Sequence, residues 1–272
     1  RSCIRGSVRT CGSLCNVFSR CTDINEGRVV MTKLSVNLNK IALLRNSRGA
    51  DYPNVPHFAR RAIAAGVDGI TVHPRPDQRH ATYQDVADLA ALCRQHAEVE
   101  FNVEGNPIPR FVDIVKQHKP DQCTLVPDAP GQVTSDHGYD MVRDAEGLRP
   151  LIEELKGAGV RVSCFVDADL EQVEAAPASG TDRVELYTEP YAHSYGSPEG
   201  EGVLNRFRAA AVRAGELGLG VNAGHDLNLD NLAHFLTIPG ILEVSIGHAI
   251  CVESFDYGFE ETIRRYLEIV RG

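Results

Sequence analysis

Leu219-Gly-Val-Asn-Ala-Gly-His225 and Leu242-Glu-Val-Ser-Ile-Gly-His248 are two short apolar runs that each close on Gly-His, with a short helical piece, Asp230–Leu236, between them. A strand, a helix and a second strand of the same texture read as a parallel βα repeat. The texture recurs back to Met31. Further strands read at Lys33–Asn39, Val67–His73, Val99–Glu104, Gln122–Pro127, Arg161–Asp167 and Asp182–Tyr187. Helices read at Asn54–Ala65, Tyr83–Ala97, Ile108–His118, Leu148–Ala158, Asp169–Ser179, Glu201–Leu217 and Gly258–Val270. Gly66, Gly159 and Gly180 stand just past helix ends, where a left-handed residue stops a helix. Eight such units predict a closed (β/α)8 TIM barrel in one domain, because an open sheet of that width leaves two edges to protect. A doubly wound open sheet is the competing architecture, and the first strand lacks the dinucleotide glycine fingerprint it would carry. The longest irregular stretch, Asp128–Glu146, has the length of a functional lid.

Composition narrows the partners. A net charge of -9 over 272 residues argues against a general nucleic-acid or acidic-membrane surface. It leaves room for an anionic small molecule at a local basic cluster. No apolar run is long enough to span a bilayer. Residues 1–30 hold five Arg, two acids and four Cys and lack an apolar core. They read as a leader outside the folded domain, which starts at Met31 and runs through residues 31–272. Cys93, Cys123, Cys164 and Cys251 stand singly in apolar surroundings, which predicts core thiols in a reducing, cytoplasmic compartment.

In a barrel of this class the chemistry sits at the C-terminal mouth. The strand ends there read Asn37 and Asn39, His73, Glu104, Asp167, Glu185, His225 and His248. A lone His after a strand is more often structural. Three His and two Glu converging from separate strands would instead desolvate and couple one another, which is how acid–base sites arise. The two Gly-His ends suit a phosphate, since loops seven and eight are a common phosphate cradle and glycine lets backbone N–H groups approach. Arg45 with Arg48, and Arg75 with Arg79 and His80, form two basic groupings after the first and second strands, enough for two phosphorylated substrates.

Several ordered stretches together resemble one family. They are Val36-Asn-Leu-Asn-Lys-Ile-Ala-Leu-Leu-Arg-Asn-Ser-Arg-Gly49, Asp68-Gly-Ile-Thr-Val-His-Pro-Arg-Pro-Asp-Gln-Arg-His80, Leu125-Val-Pro127 with Gln132-Val-Thr134, Phe165-Val-Asp-Ala-Asp169, Val221-Asn-Ala-Gly-His225 and Ile246-Gly-His-Ala249. From about Met31 onward the chain closely resembles the pyridoxine 5'-phosphate synthase family. The resemblance implies condensation of 3-amino-2-oxopropyl phosphate with 1-deoxy-D-xylulose 5-phosphate, giving pyridoxine 5'-phosphate, phosphate and water. It implies no metal or organic cofactor and a homo-octamer. It makes His73 and Glu104 proton acceptors, His225 a proton donor and Glu185 a stabiliser of developing charge. Asn37, Arg48, Gly247 and His248 would hold the amino-ketone phosphate. Arg75, His80 and Thr134 would hold the sugar phosphate under a loop that closes over the mouth. Asn39-Lys40 stands where many members have Asp-His, and both are expected to touch the sugar phosphate; Asp226 stands where others have Gly, beside the second phosphate. The rival readings are a metal-dependent sugar-phosphate epimerase or isomerase using His73, Glu104, His225 and His248 as ligands, and a phosphometabolite-binding barrel without turnover. A Schiff-base aldolase would need a Lys at a later strand end, and none stands there.

Overall fold

A computed structural model describes residues 31–272 apart from Pro130 and Val133; the expectation for residues 1–30 lies outside the described residues. Eight parallel strands close into one barrel in chain order. They are β1 (Lys33–Asn37), β2 (Gly69–Val72), β3 (Glu100–Gly105), β4 (Gln122–Leu125), β5 (Arg161–Val166), β6 (Arg183–Tyr187), β7 (Gly220–Gly224) and β8 (Ile241–Ile246). The first and last strands pair, Leu34 opposite Val244, so no edge is left open. The predicted (β/α)8 architecture is thus the observed one.

The helices take their ends from local chemistry. Helix α2 (Val55–Ala65) starts where the Asn54 side chain accepts the His57 N–H at 2.7 Å and stops at Gly66, whose φ is 94°. Helix α3 (Tyr83–Cys93) starts on a capping box between Thr82 and Asp85. The last helix (Phe259–Arg271) buries Phe259, Ile263, Tyr266, Leu267 and Val270, one face at a spacing of three and four. Each such burial is worth about 1.5–3 kcal/mol.

Three short helices were not read from the sequence: α1 (Asn39–Asn46) after β1, Glu189–Ser194 after β6 and α10 (His248–Tyr257) after β8. Asn39 therefore opens a helix instead of ending a strand. The helix after the fourth strand, α5 (Met141–Gly157), begins seven residues before its predicted start. Gly147 and Pro150 are poor helix formers, yet the Asp140 cap and the buried Met141, Ala145, Ile152 and Leu155 carry the helix through both. The loop over the mouth is correspondingly shorter and spans residues 126–140.

The barrel interior departs most from expectation. The strand bodies are apolar only on their outer face, where Leu34, Ile70, Val103, Leu125, Val162, Val184 and Val244 pack beneath the helices. Alternate residues point inward and are polar: Ser35, Thr71, Asn102, Gln122, Thr124, Ser163, Asn222 and Glu243 are all buried. They bond one another, Ser35 to Thr71 at 2.7 Å, Thr124 to Asn102 at 3.2 Å and Asn222 to Gln122 at 3.3 Å. At the N-terminal end Glu100 takes Lys33 at 2.6 Å and Arg161 at 2.5 Å. Such a network holds position by hydrogen bonding where most barrels use branched aliphatic packing.

Cys93, Cys123 and Cys164 are buried, as expected; Cys251 is only half-buried. Burial pushes the Cys93 thiol up to about 12 and Cys164 to about 11, so neither is a nucleophile near neutrality. Among the described residues no helix is long and apolar enough to cross a membrane.

Candidate active site

The C-terminal mouth holds a cavity of about 350 Å³. His73, Glu104, Glu185 and His225 line it from four different strand ends, with Asn37, Asn39, Lys40, Arg75, His80, Thr134, Asp226, Gly247 and His248 around them. Arg48 is the exception among the expected residues: it is exposed and does not line the cavity. Arg45, which belonged to the same basic grouping, is committed to a paired ion contact with Asp85, its second arm at 2.7 Å.

His73 is buried between two carboxylates, with Nδ1 4.0 Å from Glu104 and Nε2 3.8 Å from Asp128. Its burial, and then the cations of Arg75 and Arg79 and the rings of His80 and His225, hold it well below the ordinary imidazole range. The ring is therefore neutral and able to accept a proton. Glu104 is pushed up to about 7, chiefly by burial and then by the charges of Glu243 and Asp128. Its Oε1 is buried with no hydrogen-bond partner among the described residues. Asn37 Nδ2 reaches its other oxygen at 3.4 Å. Glu185 is raised well above the carboxylate range by burial and then by Glu104 and Glu243, a shift that favours its un-ionised form. Thr124 donates to it at 3.3 Å.

The glycines of the two Gly-His ends have a packing reason as well as the phosphate one. A Cβ on Gly224 would lie 2.7 Å from Glu185 Oε1, and one on Gly247 2.9 Å from the Asn37 carbonyl oxygen. Gly224 thus leaves the space that the Glu185 carboxylate occupies. Gly247 caps α10, so backbone N–H groups and the helix N-terminus face the cavity beside His248.

On the opposite wall His80 is pushed down to about 4 by burial and then by Lys40, Arg75 and Arg79, and its Nδ1 has no partner among the described residues. Arg75 is buried and pairs with Asp128 at 2.7 Å. The loop after β4 crosses the mouth between these walls. Its Gln132 carbonyl accepts from Arg75 at 3.4 Å and from Arg79, and Thr134 Oγ1 lies 3.1 Å from His225 Nε2. The base of the loop is fixed where the Gly138 N–H donates to Asp167 at 3.1 Å, which is where the fifth strand's acid is used.

Asp128 is the residue the sequence reading missed. The sequence marks it only as the first residue of an irregular stretch. It is buried and gathers His73, Arg75 and Ser135, whose hydroxyl donates to it at 3.0 Å. A carboxylate directly after β4, at the same level as the other strand-end acids, was the available signal. Among the described residues no group of three or more His, Cys, Asp or Glu is arranged to hold a metal ion.

Fold and site together define a (β/α)8 barrel whose C-terminal mouth gathers histidines, buried carboxyls and cations in one cavity. Residues 34–272 match the family described as pyridoxal phosphate biosynthesis protein PdxJ. The pyridoxine 5'-phosphate synthase of Xanthomonas oryzae pv. oryzae (strain PXO99A) is 53% identical over 249 residues, 89% of this chain and 97% of that protein. The synthase of the same name from Albidiferax ferrireducens is 50% identical over 245 residues, 88% and 97% of the two chains. The chain belongs to this family of pyridoxal phosphate biosynthesis enzymes. Phosphoribosyl anthranilate isomerase from Thermotoga maritima shares the fold alone, with a TM-score of 0.56 at 12% identity over 89% of this chain and all (100%) of the isomerase.

Proposed function

We propose that the mouth condenses 3-amino-2-oxopropyl phosphate with 1-deoxy-D-xylulose 5-phosphate, closing the ring of pyridoxine 5'-phosphate and releasing phosphate and water. The observation that carries this reading is the convergence of His73, Glu104, Glu185 and His225 on one cavity, with burial holding the His73 imidazole well below its ordinary range, pushing Glu104 up to about 7 and raising Glu185 well above the carboxylate range. Imine formation, enolisation and loss of water each move a proton at a different atom. A carboxyl such as Glu104, which exchanges its proton close to working pH, suits those steps. His73 and Glu104 accept protons and His225 donates one. Glu185, as an un-ionised acid, hydrogen-bonds to developing negative charge. The amino-ketone phosphate rests on Asn37, Gly247 and His248 at the N-terminus of α10. The sugar phosphate rests on Arg75, His80 and Thr134, with Asn39 and Lys40 beside it. The loop over the mouth keeps water from the imines. Nothing in these steps calls for a metal or an organic cofactor.

The chain is also expected to assemble with copies of itself, as an octamer on the family resemblance. An apolar face of α1 and α10 supports this: Leu44 is 51% and Phe255 81% exposed, with Leu43 and Val252 between them.

The two-phosphate assignment predicts separable effects. Arg75→Ala should raise KM for 1-deoxy-D-xylulose 5-phosphate about tenfold or more, the loss expected for a charged hydrogen bond, and leave KM for the amino ketone nearly unchanged. His248→Ala should do the reverse. Steady-state kinetics with each substrate varied in turn checks both, and equal effects on both constants in either variant would contradict the assignment.

A further inference from the structure

His225 and Asp226 follow β7 with φ of 99° and 59°, a region that favours glycine. Two successive side-chain-bearing residues held there store backbone strain, and such strain persists where the surroundings or the chemistry require it. At 226 the family pattern has Gly, which would adopt this φ without strain. The side chain that replaces it is directed at a neighbour: Asp226 Oδ2 stands 3.4 Å from His225 Nδ1, and on the far side of the ring Nε2 faces Thr134 in the cavity. Tyr187 packs edge-on against the same ring at 5.2 Å, so the imidazole is held on three sides.

We propose that Asp226 is a positioning residue that accepts the Nδ1–H of His225, so that Nε2, aimed at the substrate, is the nitrogen that takes up a proton and passes it on. The proposal rests on the reading of His225 as proton donor. An imidazole with one nitrogen committed to a carboxylate has its tautomer and orientation fixed, which is how outer partners of reacting histidines act. The other charged groups bearing on Asp226 are Lys40 of α1 and His248 of α10; with the His225 contact, which acts most strongly, they hold its carboxyl below the usual range. It therefore stays ionised, and its charge is offset on the side where a phosphate must sit.

Asn39 Oδ1 accepts the His73 backbone N–H at 2.9 Å and brings no charge. Lys40 adds a cation to the mouth. Asp226 returns a carboxylate, now beside the proton donor.

The test compares the full-length protein with Asp226→Gly, Asp226→Asn and His225→Asn. Glycine at φ 59° relieves strain, so the first variant is not threatened with misfolding. The tautomer of His225 is read from 15N–1H spectra of histidine-labelled protein, with His225→Asn assigning the signal. Asp226→Gly is expected to shift His225 from the Nδ1–H toward the Nε2–H form and to lower kcat about tenfold or more, without raising KM for 1-deoxy-D-xylulose 5-phosphate. Asp226→Asn, which keeps an acceptor oxygen, should retain the Nδ1–H form and most of kcat. The proposal is overturned if the tautomer and kcat of Asp226→Gly match the parent, or if KM alone changes. A dead His225→Asn beside an unaffected Asp226→Gly refutes the positioning role only, whereas an active His225→Asn refutes the donor reading beneath it.

Discussion

His225→Asn is expected to leave a folded barrel that turns over at least about a hundredfold more slowly than the parent, the usual contribution of a positioned general acid. Asparagine keeps polarity at the end of β7 but cannot pass a proton at working pH. The ring it removes lies partly open to the cavity, with contacts to Thr134, Asp226 and Tyr187, so few packing contacts go with it. Kinetic constants beside a circular-dichroism melt check this. A variant with unchanged melting and near-parental turnover would remove His225 from the proton-transfer steps.

Glu104→Gln is expected to change two properties in opposite directions. Turnover should fall by about a hundredfold or more, because the amide cannot accept a proton. Stability should rise, and the pH dependence shows where. The carboxyl is raised from 4.5 to about 7 in the folded protein, so the folded state resists ionising it. Its contribution to stability is fully present below the unfolded value of 4.5 and is lost as pH rises through about 7. A shift of that size corresponds to about 3 kcal/mol. Glutamine cannot ionise, so the variant should melt higher than the parent at pH 8 and close to it at pH 4. For the parent, the acceptor role makes turnover climb as pH rises through the same region. Melting curves at the two pH values decide the stability claim, and a variant no more stable at pH 8 would show that Glu104 is not strained by its burial.

The barrel and its polar mouth were legible because each strand leaves a short apolar run and nearly every one closes on a polar residue. His73, Glu104, Glu185, His225 and His248 all stand where that reading puts them. The interior was harder. Asn102 with Glu104, Gln122 with Thr124, and Glu243 with Ser245 alternate at period two, but the outward residues between them make each strand look apolar on average. Helix α1 was hidden because Asn37-Leu-Asn39 continues the strand's alternation, and only the turn that lets Asn37 Oδ1 accept the Asn39 N–H at 3.0 Å ends it. Arg48 and Arg45 looked equivalent as loop cations. Only tertiary contact tells them apart, since Asp85, which takes Arg45, is forty residues away. Asp128 could not be weighted without knowing that the chain after β4 turns back toward His73 and Arg75.

The decisive measurement is direct turnover. Purified full-length protein is mixed with 1-deoxy-D-xylulose 5-phosphate and freshly generated 3-amino-2-oxopropyl phosphate, with and without a chelator, and pyridoxine 5'-phosphate is followed by absorbance and mass. The condensation proposed for this mouth predicts product at the same rate in both samples, dependent on both substrates. Folded protein that binds either phosphate yet yields no product, or yields it only without chelator, would contradict it.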